Sequence, residues 1–100
     1  RREQLMPAYI VGHIDIQDRD AYAGYEAGFL DIFARHAGEL VAVDDAPTLL
    51  EGDLPLTRCV IVRFPDRDAA LAWYRSDDYQ ALAAIRWAAS DGVITLLDGF

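Results

Sequence analysis

His13 and Asp15 stand two residues apart in "VGHIDI", and in an extended chain such residues share a face. An imidazole oriented by a carboxylate can give or take a proton near neutral pH, so this pair is the first candidate for acid/base chemistry. The same two residues also read as a structural pair, a histidine satisfied by its neighbouring acid. No third ligand stands at a metal spacing, and no metal is expected there. Arg63 lies inside the apolar run "RCVIVRF". If buried, it must find an acid, with Asp15 or His13 in reach if the first and third strands are neighbours; otherwise it can clamp a substrate carboxylate. Arg86, in "AAIRWAA", poses the same choice between anchoring an Asp or a chain terminus and binding an anion. His36 reads as a surface residue that favours a helix C-terminus.

Tyr22, Tyr25, Phe29, Trp73, Tyr74 and Tyr79 form the aromatic set. Most of it follows a helical stripe and reads as core packing. Gly12, Tyr25, Trp73 and Tyr79 could also line a pocket, because the missing side chain at Gly12 leaves space beneath covering helices. Other chemistries lack their residues. All nine bases are Arg and there is no Lys, which removes lysine and Schiff-base catalysis. Cys59 is the single cysteine, set in an apolar run where it reads as a small buried hydrophobe. Ser76 and Ser90, the only serines, read as helix-boundary residues rather than nucleophiles. "GYEAG" lies in a helical pattern and is no phosphate loop. No cofactor is expected.

The formal charge of −8, from 17 acids and 9 bases, argues against nucleic-acid binding and against an anionic membrane surface. No apolar run approaches the roughly 18 residues of a spanning helix, and no secretory leader pattern is present. A soluble, cytoplasmic, bacterial-type protein is the expectation.

These residues must be positioned by a few elements. Residues 1–7 lack periodicity and are expected to form a poorly ordered arm, with Met6 a candidate start. Residues 8–100 are expected to form one domain. "AYIVGHIDI" alternates, with Ile10, Gly12, Ile14 and Ile16 on one face and Tyr9, Val11, His13 and Asp15 on the other, which predicts a strand. Asp18 caps a helix carrying Tyr22, Tyr25, Phe29 and Phe33, which Gly38 is placed to end. "ELVAV" is a second strand, with "TLLE" a candidate resumption, and Gly52, Asp53 and Pro55 give a turn. "RCVIVRF" is a third strand, central by its apolar character and stopped by Pro65. Asp66 caps a second helix, and Ser76 with Asp77 and Asp78 behind it breaks and restarts it. Gly92 then precedes a last strand, "VITLL". The order β-α-β-β-α(α)-β is that of a ferredoxin-like α+β domain, an antiparallel four-stranded sheet of order 4-1-3-2 with helices on one face.

"FPDRDAALAWYRSDDYQALAAIRWAASDGVITLLDG", with "AYIVGHIDIQDRDAYAGY" and "LLEGD" upstream, resembles the small bacterial family called domain of unknown function 1330. Phe64-Pro65, "AWYRSDDYQ" and Arg86 carry it most specifically. The resemblance implies a dimeric α+β barrel, a homodimer with two sheets face to face and the helices outside. One helical layer covers only one sheet face, so the other wants a partner. Related families on this scaffold include cofactor-independent monooxygenases, isomerases and small-ligand binders, so the resemblance supplies no activity. Three functions stand side by side: a binder of a small organic ligand, anionic or aromatic; a cofactor-independent enzyme using His13 and Asp15; and a structural or partner-binding dimer.

Overall fold

The computed structural model describes residues 6–53 and 57–100. The elements follow in the order β1 (Ala8–Ile16), α1 (Arg19–Ala34), β2 (Glu39–Asp44), β3 (Arg58–Phe64), α2 (Arg67–Arg75), α3 (Asp77–Ala89) and β4 (Ser90–Asp98). Each helix starts at a side chain that accepts one of its otherwise unpaired first-turn N–H groups. Asp18 accepts from Ala21 N, Asp66 from Ala69 N, and Ser76 from Tyr79 N. Ser76 also ends α2: its hydroxyl donates to the Trp73 carbonyl at 2.8 Å while its oxygen accepts from Tyr79 at 3.1 Å. One extended residue therefore turns the chain between two helices.

The four strands form one antiparallel sheet of order β2-β3-β1-β4. Alternate β1 residues are buried, and Ala8, Ile10, Ile14 and Ile16 join Tyr22, Tyr25, Phe33, Trp73, Tyr79 and Ala83 in a single core. The helices thus cover one face only. Thr57 extends the β1–β3 ladder, donating from its N–H to Ile14 at 2.9 Å and accepting from Ile16 N through its hydroxyl at 2.8 Å. Within the helical layer, Gly28 of α1 lets Leu82 of α3 approach closely, since a Cβ at Gly28 would sit 2.9 Å from Leu82, while Gly24 faces Ile85 at ordinary contact distance. Of the "GYEAG" glycines, Gly28 is a packing residue.

Three local expectations are corrected. Thr48–Glu51 form no strand, and β2 ends at Asp44, whose carboxylate accepts from Ala46 N and turns the chain away. The left-handed residue after α1 is Ala37 (φ 62°), not Gly38. Gly38 is needed for space, because a Cβ there would overlap the buried Phe33 ring. The last strand starts at Ser90, so Gly92 lies inside it, opposite Ile14. Of the N-terminal arm, residues 1–5 lie outside the described residues, as does Pro55; Pro7 is buried and accepts from Gly99 N at 2.7 Å.

Candidate functional site

Between the helical layer and the sheet lies a cavity of about 220 Å³. Its floor is Gly12, Ile10 and Ile14 of β1 with Val60 and Val62 of β3; its roof and walls include Tyr25, Phe29, Trp73, Tyr79 and Arg86. The cavity opens to solvent past the exposed Leu30, Leu40 and Val43. Gly12 lies in its floor, where a Cβ would crowd the Val60 and Ile94 side chains at 3.0 and 3.1 Å. The aromatic walls brace each other, with Trp73 and Tyr79 ring centroids 4.1 Å apart and Phe29 edge-on to Trp73 at 6.0 Å.

The polar groups of this cavity are unevenly matched. The Tyr25 and Tyr79 hydroxyls share one hydrogen bond at 2.8 Å. Burial, followed by the Tyr79 neighbour, pushes the Tyr25 phenol well above its ordinary value, so it stays neutral at any physiological pH. Arg86 is 4% exposed, and its guanidinium lies 5.8 Å from the Tyr25 ring centroid. Its Nε and Nη2 are buried with no hydrogen-bond partner, and so is Nε1 of Trp73. Burial opposes the Arg86 charge, while the Tyr79 and Tyr25 phenols favour it, and the balance holds its proton more tightly than usual. Among the described residues, the unmatched buried side-chain groups on this side of the sheet are therefore all N–H donors.

At the mouth, Arg58 joins three elements. It pairs with Glu26 of α1, and with Asp45 beyond β2 at 2.6 Å, and lies 5.4 Å from the Tyr22 ring centroid. The hydrogen bond to Asp45 raises the Arg58 pKa against the opposing effect of burial, with Glu26 adding to it, and the same bond lowers the Asp45 carboxyl. Burial raises the Tyr22 phenol, and Arg58 works against that rise. Arg58 and Glu26 were not singled out from the sequence. The signal was present, since Arg58 shares the β3 alternation of Val60, Val62 and Phe64 and so had to face the helices.

The eight residues selected from the sequence fall into two groups. Gly12, Tyr25, Trp73, Tyr79 and Arg86 line the cavity. His13, Asp15 and Arg63 lie on the opposite, uncovered face of the sheet. There His13 is opposite Cys59 and Val93, and Asp15 is opposite Asp91. Nδ1 of His13 is buried without a partner, so Asp15 does not orient the ring through that nitrogen. The expected approach of Arg63 to Asp15 or His13 is corrected by register. Arg63 is opposite Tyr9, four residues along β1 from His13 or about 13 Å, and it pairs with Glu39 at 3.2 Å. The same face exposes Val93 and Leu97, at 57% and 48%.

A family model described as a domain of unknown function (DUF1330) matches residues 7–100. No curated protein matches the sequence. Among solved structures, a protein of unknown function from Rhodopseudomonas palustris is similar with a TM-score of 0.82 and 20% identity, over 96% of this chain and 84% of that one. SnoaB, a cofactor-independent oxygenase from Streptomyces nogalater, is similar with a TM-score of 0.67 and 19% identity, over 92% and 91%. A dimeric ferredoxin-like protein of unknown function from Thermobifida fusca gives 0.68 and 16%, over 93% and 91%. At these identities the likeness establishes the ferredoxin-like fold.

Proposed function

The chain belongs to the DUF1330 family, and from that premise we propose that it is a homodimeric protein binding a small organic ligand in the cavity beneath its helices. One observation carries the reading: about 220 Å³ of space lies between the helices and the sheet, with aromatic and aliphatic walls and Gly12 in its floor. Ligand sites have this character, concave and apolar with few polar groups to fix orientation. Catalysis by His13 and Asp15, as the oxygenase-like alternative has it, requires a substrate on the other sheet face, because neither residue lines the cavity. Binding is therefore the better-supported function.

The dimer is proposed to form through the uncovered face. One helical layer leaves Tyr9, Val11, Ile61, Val93 and Leu97 without a covering element, and a second sheet of the same kind would bury them. Val93→Glu is expected to give a monomer in sedimentation velocity where the wild type is a dimer; a monomeric wild type refutes the pairing. Among the described residues, no helix is long and apolar enough to cross a membrane.

Thermal melting tests the ligand reading against small aromatic and acyl compounds, neutral and anionic. A ligand at about 100 times its dissociation constant adds roughly 2.7 kcal/mol, a shift that is easily seen. The shift should vanish in Gly12→Val, which fills the floor, and persist in His13→Ala. If no compound shifts the wild type, or if His13→Ala alone abolishes the effect, the reading is wrong.

A further inference from the structure

Among the described residues that line the cavity, the buried side-chain atoms without a hydrogen-bond partner are all donors: Nε and Nη2 of Arg86 and Nε1 of Trp73. A buried donor left without an acceptor carries the full cost of its desolvation, and a buried guanidinium needs a counter-charge as well. The protein does not supply one. No carboxylate pairs with Arg86 among the described residues, whose ion pairs run from Arg35, Arg58, Arg63 and Arg67. Asp91, in the polar recess behind Arg86, instead accepts from the Gln17 side chain at 2.6 Å. The Tyr25 phenol, raised well above its ordinary value by burial, is neutral and already bonded to the Tyr79 hydroxyl, and so brings a dipole rather than a charge.

The two free nitrogens of Arg86 are chemically informative. Nε and Nη2 are the two nitrogens whose N–H bonds run side by side along one edge of the guanidinium plane, and that edge matches the two oxygens of a carboxylate. A second anionic charge has no matching cation, because Arg58 at the mouth is held by Glu26 and Asp45. The apolar lining disfavours a dianion further.

We infer that the ligand of this cavity is a monocarboxylate, its two oxygens along the Nε–Nη2 edge of Arg86 and its flat apolar body in the aromatic-walled space above Gly12. This rests on the ligand-binding reading above and narrows it to one chemical class. Arg86 is then the specificity-determining residue, and the indole N–H of Trp73 is the third donor available to the same anion.

The experiment compares benzoate, phenylacetate, cinnamate and hexanoate with their primary amides by calorimetry, on the wild type, Arg86→Met and Arg86→Lys. The amides match the acids in shape and lack the charge, so the contrast isolates the carboxylate. At least one acid should bind the wild type tenfold or more tighter than its amide. Arg86→Met should lose that preference, and Arg86→Lys should keep the charge but lose the two-oxygen fit, falling between them. Arg86→Met should also melt no lower than the ligand-free wild type, because it removes an unpaired buried charge. Equal binding of acid and amide overturns the carboxylate assignment and leaves the ligand-binding reading standing. Absence of binding by either series overturns both. An Arg86→Met variant that is unfolded or melts well below the wild type overturns the assignment too, since Arg86 would then have a structural partner.

Discussion

Replacing Gly12 by Ala puts a methyl group into the cavity floor, and its effect on stability can be worked out from the neighbours. Gly12 does not have a positive φ, so alanine suits the backbone and stiffens the unfolded chain, contributing about 0.4–1 kcal/mol. Burying the methyl contributes roughly 0.8 kcal/mol more. Against this, the new Cβ would lie 3.0 Å from Val60 Cγ1 and 3.1 Å from Ile94 Cδ1. Those atoms must give by about half an ångström to reach ordinary carbon contact, around 3.5–4.0 Å. Both side chains line the cavity and have space to move into, so the strain should stay near about 1 kcal/mol, that of a modest rotamer distortion. The net is a stabilisation of about 0.5 kcal/mol, or roughly 2–4 °C in Tm for a domain of this size. Ligand affinity should fall at the same time. Calorimetric melting of the two proteins without ligand decides the matter. A Tm lowered by more than about 4 °C would show that Val60 and Ile94 are rigid, and that the space above Gly12 is not free volume.

Tyr25→Phe leaves the Tyr79 hydroxyl without its partner in a buried site and should cost about 1–2 kcal/mol in chemical denaturation; a neutral result would mean water reaches that hydroxyl. For Asp45, the bond to Arg58 lowers the folded pKa. Its contribution is then present above the unfolded value, near about 3.9, and is lost as pH falls towards the folded one. The stability difference between wild type and Asp45→Asn should therefore be largest at neutral pH, shrink below about pH 4, and shrink with added salt because the carboxylate is exposed. A difference that grows on acidification would contradict the pairing.

Local signals were legible where short-range chemistry sets the structure. Asp18, Asp66 and Ser76 start helices because an acceptor side chain there meets N–H groups that no helical turn can satisfy. The alternation of β1 placed Gly12 under the helices and His13 away from them, since successive strand residues point to opposite faces. That alternation already separates the His13–Asp15 pair from the Gly12 cavity, although both sets were selected as candidates. The strand order followed from element order, because one helical layer over an antiparallel sheet leaves few arrangements.

Contacts between distant segments decided the rest. The bulk at Gly38 is limited by the Phe33 ring, although the pattern alone suggested a left-handed glycine that the structure places at Ala37. The partner of Arg63 depended on a register, and the register seats it against Tyr9 and Glu39 rather than beside His13. Arg86 shows the division most clearly. Its apolar neighbours in sequence marked it as buried, but whether an acid met it there depended on which side chains α1, α2 and the sheet bring to that face of α3. Local sequence fixes the conformation of a segment through neighbours a few residues away. The presence or absence of a counter-charge is fixed only when packing brings together residues far apart in the chain, and here packing surrounds a guanidinium with phenols and leaves two of its donors free.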